Sequence, residues 1–292
     1  MAEALTWSAA GVRLGEVEGA LARLRAEAAE DHPSMRTSVM THIAWVPDEW
    51  VEQARAALSG MDERHPSRTI LLLPEPDKGQ GRIDASVSLE TYTIPGSDRR
   101  IVSEVIELQL VGARAKAPAS IVQPLLISDL PVFLRWRGEP PWGSPELDQL
   151  LEVIDRLIVD STEWDEPAHA YRRLAEVFDR VVVSDIAWER TSRWRHLLAG
   201  LWPEIADVQA IRVHGTEAQA LLLVGWLRSR LGRDDIAVEH VEAERLQGIE
   251  LDGKPAPFPA GDPPQPSDVL STELDTYTRD PVYEAAVVAA SA

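Results

Sequence analysis

Apolar residues recur every three or four positions at Leu14, Val17, Leu21, Leu24 and Ala28, with Glu and Arg between them. This spacing predicts an amphipathic helix over about residues 13–30, whose apolar stripe needs cover from another element. "SVMTHIAWV" then reads as a strand, "PDEWVEQARAALSG" as a helix between Asp48 and Gly60, and "RTILLL" as a buried strand. The period changes next: Ile83, Ala85, Val87 and Leu89 alternate with Asp84, Ser86, Ser88 and Glu90, the pattern of a strand with one wet face. "IPGSDRR" supplies a turn and "IVSEVIELQLVG" an antiparallel partner. A helix near residues 114–126 and the strand "PVFLRWR" complete a mixed sheet flanked by helices.

After "PPWGSPE" the pattern predicts a helix, the strand "RLIVDS" and a helix around "AHAYRRLAEVFDR". "SDIAWERTSRWRHLLAGLW" follows, then the strand "AIRVHG", the nearly all-apolar helix "EAQALLLVGWLRSRL", and a strand pair around "DIAVEHV" and "LQGIEL". "PAPFPAGDPPQP" predicts an extended arm, since Pro-rich sequence favours open backbone over packed elements. The fold class expected is α/β, with mixed sheets flanked by helices in two α/β domains. The 292 residues divide into a helical extension over 1–34, an N-terminal domain over 35–162, a C-terminal domain over 163–252 and a Pro-rich tail over 253–292.

Charge and composition narrow the function. A net charge of −19 repels phosphate backbones, so nucleic acid is not the expected partner. With no Cys, the chain has no disulfide, thiolate metal site or thiol nucleophile of its own. The N-terminus lacks a signal pattern and no apolar run reaches membrane-span length, so the expectation is a cytoplasmic protein without a membrane partner.

Familiar catalytic patterns are missing. "PEPDKGQGR" places Gly79 and Gly81 between two strands, without the third glycine or following helix of a dinucleotide loop, and reads as a hairpin loop. The seven His residues show no metal-ligand spacing. "EWDE" at 163–166 reads as a solvated helix entrance, and Ser161 lacks the glycines of a nucleophile elbow. The expectation is no catalytic residue, no metal and no cofactor. In "HPSR", His65 and Arg68 are candidate phosphate-binding residues, set against Arg68 pairing with a local carboxylate.

Arg and Trp cluster in two places. In "PVFLRWR", Val132, Leu134 and Trp136 alternate with Phe133, Arg135 and Arg137, ending the strand with two guanidinium groups on one face and an indole on the other. Strand carboxyl ends in α/β sheets are where ligands approach, which singles out Arg135, Trp136 and Arg137 as partner-binding candidates, set against internal salt bridges for the arginines. In "SDIAWERTSRWRHLLAGLW", Trp194, Leu197, Leu198 and Leu201 form a core stripe, while Trp188 and Arg195, seven apart, share a face suited either to an Arg stacked on an indole or to the rim of an interface. Trp188, Arg190 and Arg195 join the partner-binding candidates, because Trp and Arg are enriched at interface hot spots.

The stretches "RHPSRTILLL", "SEVIELQLVG", "PLLISDLPVFLRWRG", "DRLIVDS", "SDIAWERTSRWRHLL" and "QALLLVGWLRSRLG", in this order, resemble the OpcA family of glucose-6-phosphate dehydrogenase assembly proteins. The resemblance implies a non-catalytic protein that binds glucose-6-phosphate dehydrogenase and supports its activity in the oxidative pentose phosphate pathway. It supplies no catalytic residue. Ser103 stands where members of the family often carry Cys, so thiol-based redox control is not carried over, and Arg135 stands where an apolar residue is expected. The alternative is an enzyme or binding protein for a sugar phosphate, using His65, Arg68, Arg135 and Arg137.

Overall fold

The computed structural model describes residues 3–31, 38–58, 66–93, 100–260, 266–275 and 278–291. The chain forms two compact units, residues 1–157 and 158–292. The first contains β1 (Glu3–Ala9), α1 (Leu14–Asp31), β2 (Met40–Trp45), α2 (Val51–Leu58), β3 (Ser67–Glu75), β4 (Arg82–Thr93), β5 (Arg100–Val111), α3 (Pro118–Val122), β6 (Val132–Trp136) and α4 (Pro145–Leu151). The unit boundary falls within β7 (Arg156–Val159). The second contains α5 (Pro167–Ala175), β8 (Val182–Asp185), α6 (Ile186–Arg190), α7 (Ser192–Ala199), β9 (Ala210–Gly215), α8 (Glu217–Leu231), β10 (Ala237–Glu242), β11 (Gly248–Leu251), β12 (Lys254–Pro255), α9 (Pro266–Asp275) and α10 (Pro281–Ala290). One sheet has eight strands in the order β1-β4-β5-β3-β2-β6-β7-β8 and the other four, β10-β9-β11-β12. Both are mixed, as the α/β reading expects.

Register explains how the first unit builds its core. One row crosses six strands as Trp7, Val87, Ile106, Ile70, Ile43 and Leu134. Its last five members are buried, each contributing roughly 1.5–3 kcal/mol of transfer free energy. The α1 stripe Val17, Ala20, Leu21 and Leu24 is buried as the helical spacing requires. The opposite face carries the wet row Ser8, Ser86 and Glu107, matching the alternation read in β4.

Several expectations about the first unit change. Residues 3–9, placed in a helical extension, are a strand paired antiparallel to β4, because Leu5 and Trp7 alternate with Thr6 and Ser8. The helix predicted near 114–126 is broken into a 3-10 turn, α3 and a second 3-10 turn, with Pro118 and Pro124 opening the last two pieces. The loop after β3 is no hairpin, since β5 lies between β3 and β4.

In the second unit α8 occupies the predicted span 217–231. Thr216 and Gln219 form a capping box at its start, and Gly232 ends it at φ 64°. The predicted pairing of β10 with β11 is corrected. Both flank β9, whose Ile211 and Val213 are buried, with β10 parallel and β11 antiparallel to it. The Pro-rich tail drawn over 253–292, with its extended arm expected at 255–266, also holds a packed helix, α10. Asp280 caps it, and Tyr283, Ala286, Val287 and Ala290 are buried. A Cβ at Gly225 on α8 would collide with the Ala286 carbonyl, so glycine sets how closely the two helices approach.

Candidate functional site

At the carboxyl end of β6, Trp136 lies in register with Trp45 of β2, and their rings stack with centroids 4.8 Å apart. Just beyond the strand, the Arg137 guanidinium lies 4.7 Å above the Trp50 ring. Gly138 turns away at φ 74°, where a Cβ would come within 3.4 Å of Trp50 Nε1. Arg137 and Trp50 are half-buried. Arg135 is not the accessible cation that strand alternation suggested: it is 3% exposed and donates to the Trp136 carbonyl. All five β6 residues are buried, so alternation does not separate a wet face from a dry one here.

Arg68 also turns inward. Its Nε donates to Glu104 Oε2 at 2.8 Å and its Nη1 to the Leu125 carbonyl, while Arg25 of α1 grips the same carboxylate at 2.6 and 2.8 Å. Glu104 is 1% exposed. Burial alone would raise its pKa, but the Arg25 hydrogen bonds and the charges of Arg68 and Arg25 outweigh that and hold it below the ordinary carboxyl value. The alternative of a local carboxylate partner is thus realised for Arg68. His65 lies outside the described residues.

In the second unit the stacked arrangement, one of the two readings of this face, is present: the Arg195 guanidinium sits 3.4 Å from the Trp188 ring centroid. Trp188 is buried and its Nε1 donates to Asp280 at 2.8 Å, while Arg195 Nε donates to Thr191 Oγ1 at 3.0 Å. Burial pushes the Arg195 pKa down to about 10, against the charges of Asp280, Glu189 and Glu273. Arg190, on the same short helix as Trp188, pairs with Asp160 at 3.0 Å. These contacts bring Trp188 and Arg195 together and fasten Arg190 separately to the end of β7.

Beneath α6 lies a polar cluster that sequence reasoning did not assemble. Asp185 caps the helix by accepting from Ala187 N at 2.8 Å, and also accepts from Ser161 N at 3.0 Å and Ser161 Oγ at 2.6 Å. Tyr171 OH donates to Ser161 Oγ at 2.8 Å and Tyr283 OH donates to Asp185 at 3.5 Å. All four side chains are fully buried. Burial, reinforced by the charge of Asp160, raises the Asp185 pKa to about 6, while the hydrogen bonds from Ser161 and Ala187 oppose the rise. Ser161 is therefore a structural hydrogen-bonding group, shielded from any substrate. An Asp before the apolar run of "DIAW" was the one readable signal, a helix cap.

The first unit also has an open cleft of about 730 Å³. Asp48, Glu52, Glu75, Asp84 and Glu107 line it with Arg55, which pairs with Glu107 at 2.8 and 3.1 Å. None of the sequence-predicted site residues lines this cleft. Among the described residues no group of three or more potential metal ligands occurs, and no helix is long and apolar enough to cross a membrane.

Two family models match the chain in succession, the glucose-6-phosphate dehydrogenase subunit N-terminal domain over residues 59–176 and the corresponding C-terminal domain over 181–257. Similar proteins named "Putative OxPP cycle protein OpcA" occur in three cyanobacteria. The Nostoc punctiforme protein is 32% identical over 58% of this chain and 38% of its own length. The Synechococcus elongatus protein is 25% identical over 68% and 49%, and the Synechocystis protein 27% identical over 57% and 37%. This chain thus spans less than half the length of these relatives. The two consecutive domain matches and the agreement among the relatives place the chain in the OpcA family of glucose-6-phosphate dehydrogenase assembly proteins.

Proposed function

We propose that this chain is a non-catalytic assembly factor and allosteric activator of glucose-6-phosphate dehydrogenase, acting in the oxidative pentose phosphate pathway in the cytoplasm. The observation that carries this reading is the ordered match to both subunit domains, over 59–176 and 181–257. The relatives named for the oxidative pentose phosphate cycle support it. The internal engagement of Arg68 by Glu104 speaks against a sugar-phosphate site built on that cation.

The partner contacts proposed here are Arg137, backed by the buried Arg135 and Trp136, in the first unit and, separately, Arg190 and Arg195, backed by Trp188, in the second. Trp136 and Trp188 are buried supports, whereas Arg137, Arg190 and Arg195 are half-buried and present charge. The test is the KM and kcat of the same organism's dehydrogenase with and without this chain, repeated with Arg137→Glu. Activation by the unaltered chain and its loss in the variant, at unchanged melting temperature, is expected. A tenfold change in substrate affinity corresponds to only about 1.4 kcal/mol of coupling, within reach of one contact. Unchanged kinetics with the unaltered chain would sink the function; full activation by Arg137→Glu would remove Arg137 from the surface.

A further inference from the structure

The two sheets end in edge strands of different character. At β10, Glu239 and Glu242 are exposed, the usual protection of an edge against a second strand. β12 has two residues and β8 four, too short for a lasting edge pairing. β1 has seven residues, and no charged side chain occurs from Ala4 through Ala9. It pairs with β4 on one side, and among the described residues no strand lies on the other. Every second residue of β1 therefore directs its N–H and C=O outward, available to a further strand.

The side chains at this edge continue both faces of the sheet. Leu5 and Trp7 lie in register with buried Leu89 and Val87, extending the apolar face to the rim, where they are half-buried. Thr6 and Ser8 extend the wet face from Ser88 and Ser86 and are exposed. The apolar face thus stops at a rim that covers it incompletely.

We propose that β1 is a self-association edge, and that a second copy of this chain pairs with it antiparallel about a two-fold axis through Thr6. A two-fold perpendicular to a sheet preserves its faces, so paired residues must be separated by an even number of positions in their own strand. Thr6 is the midpoint of β1 and meets this condition while engaging the whole strand. Thr6 then faces its own copy, and Leu5 lies opposite Trp7 of the second chain on the apolar face. Aromatic and aliphatic cross-strand pairs stabilise a sheet, and this register opposes no like charges among residues 4–8. The result is a continuous β4-β1-β1-β4 arrangement in which each copy covers the other's unfinished rim.

Sedimentation velocity of the full chain over a wide micromolar range tests this. The unaltered chain is expected to show a concentration-dependent monomer–dimer equilibrium. Thr6→Asp and Thr6→Lys each bring like charges together at the axis and should weaken the dimer about fivefold, whereas an equimolar mixture pairs Asp with Lys and should recover it. Thr6 is exposed, so each variant should keep the melting temperature of the unaltered monomer, and either is sufficient if the other folds poorly. A chain monomeric at every concentration, variants that dimerise as the unaltered chain does, or a mixture no stronger than its components would each overturn the proposal.

Discussion

Glu104 in the first unit and Asp185 in the second are both buried carboxylates, yet the protein drives their ionisation in opposite directions. Glu104 lies between Arg25 and Arg68 and is held below its ordinary pKa. Asp185 lies among Ser161, Tyr171 and Tyr283 with Asp160 nearby, and burial raises it to about 6. Desolvation opposes charge at both sites, but two cations reverse its effect at one while neutral donors and a neighbouring anion leave it dominant at the other. Burial sets the cost of the charge, and the partners decide whether the protein keeps it.

The contrast breaks most severely if α10 is removed, since that helix supplies Tyr283 and Asp280 to the second unit. Deleting residues 278–292 uncovers the apolar face of α8 and is expected to cost well over about 5 kcal/mol, through loss of several buried side chains. Hydrogen exchange should lose its protection in α5 and α8 while β3 and β5 stay protected. Protection retained in α8 would show that α10 is dispensable.

Next in size is Glu104→Gln, which leaves the buried Arg68 charge without its carboxylate and should destabilise the first unit by about 3–5 kcal/mol. Its pH signature is specific. With the folded pKa of Glu104 depressed below 4.5, its stabilisation is present above 4.5 and is lost as pH falls through the folded value. The acid unfolding limb of the first unit should therefore flatten in the variant, as read by urea titration at several pH values.

Asp185 has the reverse sign. Its folded pKa lies above the unfolded 3.8, so its contribution is fully present below 3.8 and is lost as pH rises through about 6, a difference of about 3 kcal/mol. Asp185→Asn keeps an acceptor for Ser161 N and Ala187 N and removes the ionisation. The second unit should become up to that amount more stable at pH 8, with no gain at pH 3. A variant retaining the original pH slope would assign the slope to another group. The smallest effect is Tyr171→Phe, which deletes a hydroxyl shared between Ser161 Oγ and the Ala218 carbonyl and should cost about 1 kcal/mol at either pH. A much larger loss, measured by the same titration, would mean that the cluster acts as one cooperative unit.

Much of the fold was legible in local pattern, and the candidate site only partly. The seven-residue spacing of Trp188 and Arg195 was enough to place them on one face and to offer their stack as one of two readings, because both belong to one continuous segment. The accessibility of Arg135 was not readable, because alternation cannot reveal that both faces of β6 are covered. Nor could the Asp185 cluster be read, since Ser161, Tyr171, Asp185 and Tyr283 come from four separate stretches.

By itself the sequence determined the dry stripe of α1, the wet and dry faces of β4 and the span of α8. The 3.6-residue stripe of α1 and the alternation of β4 are local consequences of side chains choosing water or core. Tertiary structure alone decided that β5 separates β3 from β4, that β9 separates β10 from β11, and that α10 packs as part of the second unit. It also decided that two buried carboxylates titrate in opposite directions. Strand neighbours and buried charge states depend on groups distant in the chain, and no local period carries that information.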